Sequence, residues 1–252
     1  MSLRSDDGGG VTGVGYGTGR TTTVRDLRPE EAPLSAAIHR QVLDMEFLAR
    51  FGTGFLTAYH RAWIRSPAGL ALAATDAEGV VCGVMLGSLD PVAHYDWLLR
   101  RAGAGLAARM AVYSLAHPTL ARDLLATRAT RYARAIWVRL AAKLRRAGGG
   151  GGNPPTESAP PRARAGEITH LMVAPEGRGG GYGRALVEET ERRAAAAGVA
   201  ELVLVTPPDL DARQFYEHLG WEPTGGMTSR SGEEFIRFRR VLPAPPAEPA
   251  GP

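Results

Sequence analysis

Apolar and polar positions along the chain change period several times, and each change marks an element. "TTTVRDLR" alternates as a first short strand, and Pro29-Glu30-Glu31 opens a helical region reaching about Trp63. "GLALAATDAEGVVCGVMLGSL" holds two β-rich apolar runs on either side of Asp76-Ala77-Glu78-Gly79, which is a hairpin signal. From His94 to Arg146 the period becomes helical. In its latter half Leu125, Ala129, Tyr132, Ala133, Ile136, Leu140 and Leu144 recur at helical spacing. Arg128, Arg131, Arg134, Arg139, Arg145 and Arg146 fall mostly on the opposite side, while Arg122 and Lys143 do not fit. A regular pattern then resumes. It predicts a strand ending at Val173, a helix over Gly181–Ala197, a strand "ELVLVT", a helix from about Asp211 to His218, and strands near "WEPTGGM" and "EFIRFRRVL".

Composition sets the limits of this domain. With 252 residues, 44% of them hydrophobic, the chain can bury one good core, yet 32 Gly and 18 Pro imply sizeable unstructured parts. Residues 1–20 are expected to be a disordered tail, 147–166 ("AGGGGGNPPTESAPPRARAG") a flexible linker, and 242–252 a second disordered tail. That leaves 21–241 as the domain, with a helical insertion at about 94–146. "GVGYGTG" precedes a strand instead of following one, so it makes a poor phosphate loop. The single cysteine, Cys82, excludes an intramolecular disulfide and is expected to be a buried, inert thiol. No apolar leader core and no run of eighteen apolar residues is present, so a soluble, cytoplasmic protein is expected.

The net charge of +4 hides an asymmetry. Residues 100–146 hold ten Arg and one Lys against Asp123 alone, so the rest of the chain is acidic overall. Three readings of this segment compete: a solvated amphipathic helical pair, a lid over an acceptor site, or a docking surface for an anionic partner such as nucleic acid, headgroups or an acidic carrier protein. Tyr132 and Trp137 lie on or near the apolar stripe, which argues against base stacking.

The chemistry concentrates in "LMVAPEGRGGGYGRALVEE", Leu171 to Glu189. Between a strand and a helix, such glycines let backbone N–H groups approach a phosphate while the helix adds its positive end. A Walker loop would need a lysine that is missing, and a dinucleotide fingerprint fails because Leu186 stands at its third glycine. Arg178-Gly179-Gly180-Gly181-Tyr182-Gly183 instead resembles the Arg/Gln-x-x-Gly-x-Gly/Ala coenzyme A loop of the GNAT superfamily of N-acetyltransferases. Ile168, Leu171 and Val173 are spaced three and then two, so an extra residue, a β-bulge, is expected between Ile168 and Leu171. Downstream, "DLDARQFYEHLGWEP" resembles a second GNAT signature, with Ala212, Phe215, Tyr216 and Gly220 matching, Asp209 in place of Asn and Trp221 in place of Phe.

The resemblance covers about residues 165–240 and implies an α/β (α+β) fold: a mixed, mostly antiparallel twisted sheet flanked by helices. It implies acetyl-CoA as co-substrate. Backbone groups of Leu171, Met172 and Val173 would hold the acetyl-pantetheine, and those of Arg178, Gly179, Gly180, Gly181, Tyr182, Gly183 and Arg184 the pyrophosphate; the Asn position, here Asp209, would contact the coenzyme. Tyr216 would be the general acid. Glu167, eleven residues before Arg178, matches the offset of a general-base glutamate, with His170 or a water chain as alternatives. The remaining histidines show no ligand spacing, and no metal is expected. Small-molecule and peptide amines stay open as acceptors. Two other readings also stay open: a longer acyl-CoA donor, and a binding module that docks an anionic partner through the basic helices.

Overall fold

The computed structural model describes residues 11–12, 22–44, 46–124, 164–208, 210–228 and 232–243. Most of the expected linker, the Arg-rich stretch beyond residue 124, Asp209 and most of both tails lie outside the described residues, while Ala165 and Gly166, expected to end the linker, already pair as strand with Glu201 and Leu202. Val11–Thr12 (β1), inside the stretch expected to be a tail, pairs antiparallel with Thr23–Asp26 (β2).

The sheet continues with Gly69–Thr75 (β3), Val81–Ser88 (β4), Ala165–Val173 (β5), Glu201–Thr206 (β6), Glu222–Thr228 (β7) and Glu234–Val241 (β8). Its order is β1-β2-β3-β4-β5-β6-β8-β7, antiparallel throughout except for β5 beside β6. The helices are Ala32–Val42 (α1), Gly52–Arg65 (α2), Pro91–Arg101 (α3), Gly103–Leu115 (α4), Pro118–Leu124 (α5), Tyr182–Ala196 (α6) and Leu210–His218 (α7). This is the mixed, mostly antiparallel sheet with flanking helices that the resemblance implied. No helix among the described residues is long and apolar enough to cross a membrane.

β3 is buried on both faces, which is why its sequence reads as a continuous apolar run. Leu70, Leu72 and Ala74 point to one core with Met85, Leu186, Leu202 and Phe238; Ala71 and Ala73 point to the other with Val84, Leu86, Trp63 and Ile38. The first core lies under α6, the second under α1 and α2. A third cluster joins Phe51, Phe55, Leu56 and Leu120 with Leu106, Met110 and Tyr113, so α4 and α5 dock on α2 and not on the sheet. Asp76 closes the β3–β4 hairpin by accepting the Glu78 and Val80 N–H groups at 3.2 and 2.8 Å. Cys82 departs from expectation: it is half-buried, because its strand position faces the hairpin turn, with Sγ 3.8 Å from Asp76 Oδ2.

Candidate active site

β5 changes register in its middle. Leu86 pairs with His170 and Gly87 with Ile168, which leaves Thr169 with no residue opposite it. The extra residue turns the strand. Ile168 packs in the α6-side core with Leu171 and Val173, whereas His170 and Met172 face α1 and α2. On its other edge β5 pairs with β6 only from Ala165↔Glu201 to Ile168↔Leu204. Beyond that β6 keeps its pairing with β8 up to Thr206↔Ile236. Among the described residues, the β6-facing edge of β5 from Thr169 to Val173 therefore has no strand partner. Leu171, Met172 and Val173 offer unladdered backbone groups there.

The glycine loop follows directly. Pro175–Gly177 makes a single 3₁₀ turn, Arg178 is extended, and Gly181 is the N-cap of α6 with φ 80°. Gly179 also has a positive φ of 75°. Among the described residues a Cβ at Gly179 or Gly181 would meet nothing within 4 Å, so both glycines face open space there. The first turn of α6 directs N–H groups there that have no carbonyl partner within the helix, and no side chain caps them. Arg178 is exposed, and so is Arg184, whose guanidinium is 3.9 Å from Glu188.

Not every glycine of the loop faces open space. A Cβ at Gly180 would lie 2.6 Å from the Tyr182 ring, and one at Gly177 would lie 3.3 Å from it. Both residues are small to admit that ring. Tyr182 is 2% exposed, so its side chain is a core wedge, and only its backbone borders the loop. A Cβ at Gly183 would point at Phe215 (3.4 Å) and Val173 (3.5 Å), into the seam between α6, α7 and β5 instead of toward a ligand.

Tyr216 is 7% exposed on the same side of the sheet as α6. Its ring centroid lies 5.0 Å from Phe215, 5.6 Å from Phe238 and 5.9 Å from Trp221. Glu167 lies on the other side. It accepts the Tyr95 hydroxyl and, at 2.9 Å, the Thr169 hydroxyl. Candidate acid and candidate base thus flank the sheet from opposite faces, beside the stretch where β5 and β6 part.

The helix-side face also carries a cluster that sequence spacing did not reveal. Glu46 Oε2 is 2.8 Å from His39 Nε2, and its Oε1 is 3.2 Å from His170 Nε2. Behind them, His39 Nδ1 meets His60 Nε2 at 3.0 Å, and His60 Nδ1 meets Ser35 Oγ at 2.6 Å. Burial works against the Glu46 carboxylate, but the hydrogen bonds from His170 and His39 hold it far below the usual carboxylate range. His60 is pushed down to about 2 by burial and by neighbouring imidazoles. With Glu46 ionised, one proton pattern satisfies the chain: Ser35 donates to His60, His60 Nε2–H to His39, and His39 Nε2–H to Glu46. The nearby Tyr59 phenol is raised above its ordinary value by burial, with Tyr95, Glu46 and Glu167 adding to the effect. The clue in the sequence was only the four-residue step from Ser35 to His39 on one helix face.

Comparison with known proteins matches residues 104–221, from α4 to the end of α7, to the acetyltransferase (GNAT) family. No curated protein matches the chain. Among solved structures, a spermidine N-acetyltransferase chimera of Vibrio cholerae and human sequence superposes with a TM-score of 0.53 at 12% identity, covering 87% of this chain and 95% of that one. A Corynebacterium glutamicum structure described as histone acetyltransferase HPA2 and related acetyltransferase gives 0.50 at 18% identity, covering 91% and 99%. At these identities the likeness is one of fold.

Proposed function

We propose that this chain, whose residues 104–221 match the acetyltransferase (GNAT) family, is an N-acetyltransferase that moves the acetyl group of acetyl-CoA onto a primary amine by direct attack in a ternary complex. One observation carries the reading. The edge of β5 opened by the bulge at Thr169 runs straight into a glycine loop and the uncapped start of α6. An extended thioester arm suits the first, and a pyrophosphate the second.

Acetyl-CoA supplies the activated acyl group. Backbone groups of Leu171–Val173 align the arm along the open edge and polarise the carbonyl oxygen, as an oxyanion hole does. Glu167 takes a proton from the incoming ammonium, which frees the lone pair for attack. Tyr216 gives its proton to the departing thiolate, whose basicity matches a phenol with an ordinary pKa near ~10. The Glu167 carboxylate makes its face of the sheet suited to a cationic amine; a small molecule and a peptide amine both fit that chemistry.

The test is a turnover screen with acetyl-CoA against a panel of amines, detecting free thiol. Thiol release that depends on one amine class supports the reading. A folded protein that binds coenzyme A yet acetylates nothing would favour a binding module, and longer acyl-CoA donors in the same screen separate acyl preference from loss of catalysis.

A further inference from the structure

We propose that His39, Glu46 and His170 bind one divalent transition-metal ion through the two Nε2 atoms and the Glu46 carboxylate. The site is separate from the acetyl-transfer reading and does not rest on it. Its donors come from three places: α1, the segment after it, and β5 just past the bulge residue Thr169. Their ligand atoms all lie within 4.8 Å of one another.

The spacing fits an ion. A tetrahedral metal about 2.1 Å from each donor sets the donors roughly 3.4 Å apart. His39 Nε2 is 2.8 Å from Glu46 Oε2 and His170 Nε2 is 3.2 Å from Glu46 Oε1, so the carboxylate can turn either oxygen to an ion held between the two imidazoles. The donor set also selects the ion. Two imidazoles suit zinc-like metals, whereas magnesium and calcium prefer oxygen alone. One carboxylate with two neutral imidazoles leaves the ion a net positive charge and at least one open coordination position. The Glu46 side chain is 34% exposed while the two histidines are 0% and 4% exposed, so the carboxylate is the entrance and the imidazoles form the floor.

Support behind the ligands is built in. His39 Nδ1 rests on His60, and His60 rests on Ser35, all three fully buried. Binding at His39 Nε2 needs no proton to leave this chain. The His39 proton moves to Nδ1 and points at His60 Nε2, and the His60 proton moves to Nδ1 and points at Ser35 Oγ. The same contacts then run in the opposite direction, the arrangement in which a hydrogen-bond acceptor behind the ligand orients a metal-bound imidazole. His170 is held differently: its Nδ1 has no hydrogen-bond partner among the described residues, and its ring is wedged against His39, Tyr59 and Trp63 at centroid distances of 4.9, 6.0 and 6.3 Å.

The experiment is calorimetric titration of the tag-free, chelator-treated full chain with Zn²⁺, with Mg²⁺ as control. The expected result is one Zn²⁺ per chain and no Mg²⁺ binding. Glu46→Gln and His170→Gln, each checked for a native circular dichroism spectrum, should weaken Zn²⁺ binding by more than tenfold. Ser35→Ala, one step behind the ligands, should weaken it by roughly tenfold. Replacing the exposed His117 and His218 with Ala should change nothing. A second readout needs no variant: Co²⁺ in the wild-type chain should give the visible bands of a low-coordinate nitrogen and oxygen site, displaced by one equivalent of Zn²⁺. Zn²⁺ binding that survives Glu46→Gln, that disappears with His117 and His218, or that is matched by Mg²⁺ would overturn the site, as would a purely aquo Co²⁺ spectrum.

Discussion

Ile168 and Leu204 are the last residues through which β5 and β6 pair. One residue later Thr169 bulges out of the β4 register, and the two parallel strands part company while each keeps its other neighbour. A sheet that opens in its interior leaves backbone donors and acceptors without a strand partner among the described residues, free to be satisfied by water or by a ligand. The candidate acid and base stand on opposite faces beside that opening.

The two kinds of glycine in the loop should separate experimentally. Gly181→Val places a Cβ in the open space at a left-handed backbone, which costs about 1–2 kcal/mol of strain and blocks the approach to the helix start. Coenzyme affinity should drop sharply in a protein that still folds. Gly180→Ala instead forces the Tyr182 ring out of its place, so its main effect should appear in the melting temperature. Calorimetry and thermal melts on both variants check this; the reverse pattern would move the phosphate contact from Gly181 to Gly180.

Tyr216→Phe keeps the ring against Phe238 and Trp221 and removes only the hydroxyl. The turnover number should fall by about tenfold to a thousandfold, with coenzyme binding little changed. Steady-state kinetics beside a binding titration reads the two effects apart. Wild-type turnover would make Tyr216 a packing residue alone.

Glu167→Gln should slow the reaction mainly below the pKa of the acceptor amine, where the nucleophile arrives charged and needs a base. Above that pKa the free amine attacks unaided, so the defect should shrink as pH rises. Rate profiles of wild type and variant measure it. A defect independent of pH would give this carboxylate a binding role, through its contacts with Tyr95 and Thr169.

Acid should destabilise the fold through His94. Burial pushes this imidazole down to about 4, and its Nε2 has no hydrogen-bond partner among the described residues. Above about pH 6.5 it is neutral in the folded and unfolded chain alike. As pH falls below that, the unfolded chain takes up a proton that the folded one refuses, and stability drains away until about pH 4, by a few kcal/mol at most. His94→Asn, which can still bond the Ser66 hydroxyl, should flatten the fall in melting temperature across that window. An unchanged slope would assign the acid loss to other groups.

What the sequence revealed and what it hid follow from chain distance. The bulge was readable because Ile168, Leu171 and Val173 break a period of two within six residues, and the hairpin because Asp76 and Gly79 are local turn residues. The His39–Glu46–His170 cluster was not, because Glu46 and His170 are 124 positions apart and meet only once α1 has docked on β5. The place of the Tyr182 ring was hidden too: it occupies a variable slot of a loop motif, and nothing local says that its ring turns inward beneath Gly177 and Gly180.

The central claim is that the open edge of β5 and the start of α6 together hold coenzyme A, and calorimetric titration of the folded chain with coenzyme A tests it most directly. One site per chain is expected, with affinity kept in Tyr216→Phe and lost in Gly181→Val. A titration without binding heat in the folded wild-type chain, repeated at two temperatures to exclude a zero of enthalpy, would contradict it.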